Sequence, residues 1–167
     1  ERQDLSSGGM GAAIGEVARG METTPDASVF VYVCGYAAGM NDRPFLLPVS
    51  ANIQRPSDVM TQGILAKALL DVLVRGKPSR GLLVLDLVPA PDHSAPVLGT
   101  LMDVPAPEGT GLIGVIGSPP AAGSTALSMA LASELTRPGV KSGALLAGVE
   151  SQLKADPAAH IGALRIP

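Results

Sequence analysis

Large rings are almost missing from this sequence: it has two phenylalanines, two tyrosines and no tryptophan in 167 residues. All of them (Phe30, Tyr32, Tyr36 and Phe45) fall in one short stretch, so bulky side chains are concentrated around a single strand and its turn. Cysteine is nearly absent as well. Cys34 stands alone, which excludes an internal disulfide and any cysteine-cluster metal site. Charge is sparse, with 15 acids against 12 bases, a formal net charge of −3 and no basic run. Phosphate neutralisation needs such a run, so no nucleic acid partner is expected. The two histidines, His93 and His160, lie far apart and the carboxylates are scattered, so no metal-ligand spacing is present and no cofactor is implied. The longest uncharged stretch, Ala27 to Asn41, is too short to span a bilayer. The polar opening Glu1-Arg2-Gln3-Asp4 is not a signal peptide, so a soluble domain is expected and the compartment stays open.

What is present is aliphatic. Hydrophobic residues make up 46% of the chain, and 167 residues suffice for one domain with one core, residues 1–167. Ser6 and Ser7 offer caps for a helix from Gly9 to Met21, with Met10, Ile14, Val17 and Met21 at helical spacing. Thr23-Thr24-Pro25-Asp26 breaks it. The run Ser28 to Cys34, β-branched and aromatic on both faces, predicts a strand covered on both sides. Gly35 to Pro44 reads as a loop and Phe45 to Leu47 as a short strand. Asp58 or Thr61 caps a second helix whose apolar face uses Ile64, Leu65, Ala68, Leu69 and Leu73, ending at Gly76-Lys77-Pro78. Strands are expected at Gly81 to Val88 and Gly111 to Gly117. The Pro-rich stretch between them reads as a loop with one extended piece, Val97 to Met102. Two helices, Gly123 to Thr136 and Lys141 to Lys154, follow. The alternation predicts an α/β domain with a mainly parallel sheet and helices on both faces. Ligands in such sheets bind at the carboxyl ends of the strands, so the loops after Cys34, Val88 and Gly117 are expected to share one edge.

Two of these strands carry a family resemblance. Val29-Phe30-Val31-Tyr32-Val33-Cys34-Gly35-Tyr36-Ala37 and Leu82-Leu83-Val84-Leu85-Asp86-Leu87-Val88-Pro89, with FLLPVSANI between them, resemble the caspase-like cysteine peptidases. GSTALSMALASELTRPG and the closing Arg165-Ile166-Pro167 are similar to that family's later segments. The resemblance implies a caspase-like three-layer α/β sandwich in which the first strand ends in a turn carrying a catalytic His and the second in D-x-C carrying the nucleophile. Here those positions hold Tyr36 and Val88. It also implies that the family's first strand and helix precede residue 1, and hence that 1–167 is a fragment of a longer protein. In the family a thiolate attacks and the His moves the proton. Val88 has no nucleophilic atom, and a tyrosine, with an ordinary pKa of about 10, is a poor base at neutral pH. The expectation is a pseudopeptidase that works by binding a protein partner or a second copy of itself.

Four further features carry chemistry. Asp86 matches the acid that lines a pocket for Arg or Lys side chains in the metacaspase-like branch; otherwise it caps a neighbouring loop or pairs with Arg80 or Arg43. Cys34 with His93 would make a displaced nucleophile–base pair and an active hydrolase; otherwise Cys34 is an inert buried thiol. Tyr36 either fills or bridges the cleft, or packs on the Pro-rich loop. Gly117 to Thr125, lying between a strand and a helix, is similar to a phosphate loop, but it has one residue too many between its glycines and Ser124 where the motif needs Lys.

Overall fold

A computed structural model describes residues 2–24, 26–76, 78, 80–119 and 123–167. Parts of three expected features (Pro25 of the first break, Lys77 of the second and residues 120–122 of the phosphate-like loop) lie outside the described residues. The chain runs α1 (Ser7–Thr23), β1 (Ser28–Met40), β2 (Arg43–Leu46), α2 (Pro56–Gln62), β3 (Ile64–Leu65), α3 (Lys67–Gly76), β4 (Arg80–Pro89), a 3₁₀ turn (Gly99–Leu101), β5 (Thr110–Gly117), α4 (Ala126–Leu135), α5 (Ser142–Lys154) and β6 (Ala159–Arg165). The six strands form one sheet in the order β3-β2-β1-β4-β5-β6.

The architecture is α/β, but the sheet is mixed rather than mainly parallel. β1 pairs parallel with β4, and β4 with β5, whereas β2, β3 and β6 each join antiparallel to a neighbour. Two local features explain the departure. Asn41 and Asp42, at φ 50 and 58, make a left-handed two-residue turn that folds β2 straight back on β1. The expected loop from Gly35 to Pro44 is therefore the second half of a 13-residue strand and its hairpin. The C-terminal segment pairs back along β5 with a register shift at Gly114/Val115, a strand that carries little alternation in sequence.

Local chemistry sets the helix boundaries. Ser6 caps α1 by accepting from the Gly9 N–H at 3.2 Å. The single helix expected around Asp58 to Leu73 is two. Pro56 fits the first turn of α2, Asp58 accepts from the Arg55 N–H at 2.9 Å, and Gly63 closes the helix. Ile64 and Leu65 leave it to form β3, and α3 buries Leu69, Leu70, Val72 and Leu73. The expected extended piece at Val97–Met102 is a 3₁₀ turn instead. Its spacing of three stacks Leu98 and Leu101 onto the sheet, where Leu98 packs so close to Gly114 that a Cβ there would meet it at 2.8 Å.

One face of the sheet is covered by α1, α3 and the 3₁₀ turn, with Leu83, Leu85 and Leu87 of β4 fully buried beneath them. Each contributes about 1.5–3 kcal/mol by leaving water. On the other face α4 and α5 lie over β4, β5 and β6, burying Leu82, Val84, Ile113 and Val115. α2 closes only the far end of β1, through Val59 against Ala38. Among the described residues nothing covers the rest of β1 on that face, which corrects the expectation of a strand sheltered on both sides. Phe30 is 51% exposed, Tyr32 39% and Tyr36 51%, with Cys34 exposed between them. Among the described residues no helix is long and apolar enough to cross a membrane.

Candidate functional site

β1 and β4 lie side by side, so their residues face one another in register: Tyr32 beside Val84, Cys34 beside Asp86, Tyr36 beside Val88. Successive side chains of a strand alternate between faces. Tyr32, Cys34 and Tyr36 therefore share the uncovered face with Asp86 and Val88. The resemblance placed Tyr36 in a turn at the end of its strand. It lies inside β1, four residues before the end, because the strand continues into the β2 hairpin. Its ring is half exposed, and its hydroxyl has no hydrogen bond among the described residues. Val88 is buried and offers only methyl groups.

Asp86 is 1% exposed, at the point where α4 begins. Its Oδ2 accepts from the Tyr32 hydroxyl at 2.7 Å and from the Thr125 hydroxyl. Thr125 is also the N-cap of α4, its Oγ1 accepting from the Ser128 N–H at 3.0 Å. The carboxylate thus stitches β1, β4 and the start of α4 together, which is how a buried charge is tolerated. No ion pair with Arg80 or Arg43 forms among the described residues. Desolvation, then the bond to Asp86, pushes the Tyr32 hydroxyl far above the usual tyrosine range. Desolvation and the Asp86 charge also raise the Cys34 thiol, against a smaller opposing pull from Tyr32. A thiol held protonated is the reverse of an activated nucleophile.

The structure does not bring Cys34 and His93 together. The His93 loop meets β1 at Gly39, whose N–H donates to the Ser94 carbonyl at 2.7 Å. Gly39 lies five residues beyond Cys34, roughly 16 Å along an extended strand. Cys34 is exposed on the sheet face rather than buried and inert as a core thiol.

The end of β1 and the loop after β4 border a cleft of about 500 Å³. Met40, Ile53 and Val59 give it apolar lining, and Arg55 from the segment before α2 and Asp92 and His93 from the loop after β4 line it as well. The sequence placed His93 near this edge but gave no reason to single out Arg55 or Asp92. Their only signal is the proline beside each, which fixes the local backbone. Among the described residues no three His, Cys, Asp or Glu side chains cluster as a metal ion requires.

The backbone of β1 adds a second feature. Ala37 and Gly39 bond toward β4 and its following loop, while the Tyr36 carbonyl accepts from Leu47 N–H on the opposite side. Backbone groups alternate in direction along a strand. Phe30, Tyr32 and Cys34 therefore point their N–H and C=O groups outward, on the side where pairing with β2 reaches only Ala37 to Met40. Among the described residues nothing pairs with them there. The chain matches no protein-family model and no curated protein.

Proposed function

We propose that this chain is a non-catalytic, caspase-like module that works by binding, and that its β1 edge takes up an extended segment of a protein partner. The observation that carries this is the state of β1: an outward-facing row of backbone groups with no partner among the described residues, beside an exposed stripe of Phe30, Tyr32 and Tyr36. Natural edge strands are normally blunted by charge, proline or a bulge. Between Asp26 and Asp42 this one has no charged residue and no proline. A partner strand supplies the missing hydrogen bonds, and its apolar residues cover the rings.

The non-catalytic half rests on three points. The caspase-like positions, Tyr36 and Val88, are register neighbours but hold no nucleophile and no base. Burial and the Asp86 charge push the Cys34 thiol up, away from an activated nucleophile. His93 belongs to a different part of the sheet edge from Cys34.

Two measurements test the two halves separately. Fluorogenic peptides with Arg, Lys or Asp before the scissile bond, with and without calcium, are expected to show no turnover by the chain or by Cys34→Ala. Turnover that disappears in Cys34→Ala sinks the non-catalytic reading. Amide exchange tests the edge. Phe30, Tyr32 and Cys34 should exchange fast and Val29, Val31 and Val33 slowly, and a lysine-flanked (Thr-Val)₄ peptide should protect the first three. Protection of all six amides in the free chain would remove the basis for strand uptake.

A further inference from the structure

In the strand order β2 lies on one side of the β1–β4 pair and β5 on the other, and the loop that leads from β4 to β5 first bonds to Gly39 of β1. The cleft at the carboxyl end of this pair therefore sits at the point where the strand order reverses, the place where open α/β sheets leave a crevice for ligands. Its volume, about 500 Å³, falls within the range of roughly 300–1,000 Å³ common for small-molecule sites.

The backbone segments that carry its charged groups are held in place, while Arg55 and Asp92 themselves are unpaired among the described residues. Before α2, Asp58 Oδ2 accepts from the backbone N–H of Gln54 at 3.0 Å and of Arg55 at 2.9 Å, which fixes the segment that carries Arg55. After β4, Asp92 adopts the left-handed conformation at φ 61, and the loop is anchored to β1 through Gly39 and Ser94. His93 Nδ1 lies 2.6 Å from the Pro91 carbonyl. A carbonyl only accepts, so Nδ1 is the donor there, and Nε2 has no hydrogen bond among the described residues. The Arg55 guanidinium and the Asp92 carboxylate line the same space, yet neither forms an ion pair or side-chain hydrogen bond among the described residues.

We propose that this cleft binds a small zwitterion with an apolar body, either a free amino acid or a short peptide. Its carboxylate meets Arg55, its ammonium meets Asp92, and its side chain lies on the apolar lining of Met40, Ile53 and Val59. A plain anion would face the Asp92 carboxylate and a plain cation the guanidinium. An uncharged apolar molecule would strip water from both charges without pairing either. A zwitterion is the ligand that answers both charges. This site is separate from the β1 edge and does not depend on the caspase-like reading.

Calorimetry of the whole chain with L-leucine, Leu-Leu and Leu-Leu-Leu tests it. At least one should bind, and which one does separates an amino acid from a peptide ligand. The N-acetyl and C-amide forms of the binder should each bind about tenfold more weakly. Arg55→Gln should abolish the penalty for the C-amide and Asp92→Asn the penalty for the N-acetyl form. Both residues are exposed, and Asn tolerates the left-handed backbone, so the variants are expected to fold, as their unchanged melting curves would show. The proposal is overturned if none of the three binds at about 10 mM, if the capped forms bind as well as their parent, or if neither variant alters the preference.

Discussion

The Tyr32 hydroxyl donates to Asp86 at 2.7 Å, reaching diagonally from β1 to β4, while Cys34 occupies the register position beside that carboxylate. This contact and the Thr125 bond to the same oxygen hold the one deeply buried carboxylate of β4. Hydrogen bonds to a charged group contribute about 1.5–3 kcal/mol when buried, and less when one partner is part-exposed. Asp86→Ala should therefore cost about 2–3 kcal/mol and Tyr32→Phe about 1 kcal/mol in urea unfolding. If Tyr32→Phe proves the more damaging of the two, Asp86 is not the hub of this network.

Alkaline pH should destabilise the fold through the same cluster. Tyr32 and Cys34 both have folded-state pKa values raised above their unfolded values. Once pH exceeds the unfolded values, the unfolded chain loses protons that the folded chain retains. Stability contributed by these groups is full below that point and is lost as pH rises. The melting temperature should fall from about pH 9 upward, near the ordinary thiol and phenol values. The double variant Tyr32→Phe/Cys34→Ser should flatten the decline; an identical decline in the variant would assign it to other groups.

Thr125 has two jobs at the start of α4, capping the Ser128 N–H and donating to Asp86. Loss of an N-cap typically costs about 0.5–2 kcal/mol. Thr125→Ala should exceed the middle of that range because it also leaves Asp86 short of a donor, and Thr125→Ser should recover most of the loss. Equal damage from Ala and Ser would point to the methyl group rather than the hydroxyl.

Gly39 is the contact between β1 and the loop that carries Asp92 and His93. A Cβ at this position would run into the Ala95 carbonyl, a backbone atom that cannot rotate away. Gly39→Ala should cost about 1–3 kcal/mol, in the range of other overpacked sites. It should also loosen the cleft lining, seen as faster amide exchange at Ser94 and Ala95. Gly35 has open space around its Cβ position, so Gly35→Ala is the matched control on the same strand.

Much of the fold was readable because it depends on local chemistry. Ser6 capping α1, the aliphatic runs of β4 and β5, and the break after α3 each follow from a few adjacent residues. Elements that depend on distant partners were not readable. β6 has weak alternation and exists because β5 offers an edge. The Pro56 and Gly63 boundaries of α2 are visible in the letters, but nothing local says that Ile64 and Leu65 will pair with β2 rather than extend a helix.

The same division holds for the site. By itself the sequence determined that the chain has one thiol, two histidines and no basic tract, and that Val88 has no atom with which to attack a peptide bond. Those are facts of covalent composition and need no fold. The tertiary structure alone decided that Asp86 is occupied by Tyr32 and Thr125, that Cys34 and His93 stand apart, that Arg55 and Asp92 line one cleft, and that one face of β1 is open among the described residues. Each of these depends on which strand lies beside which and on which face a helix covers, and such relations are set by packing between residues tens of positions apart.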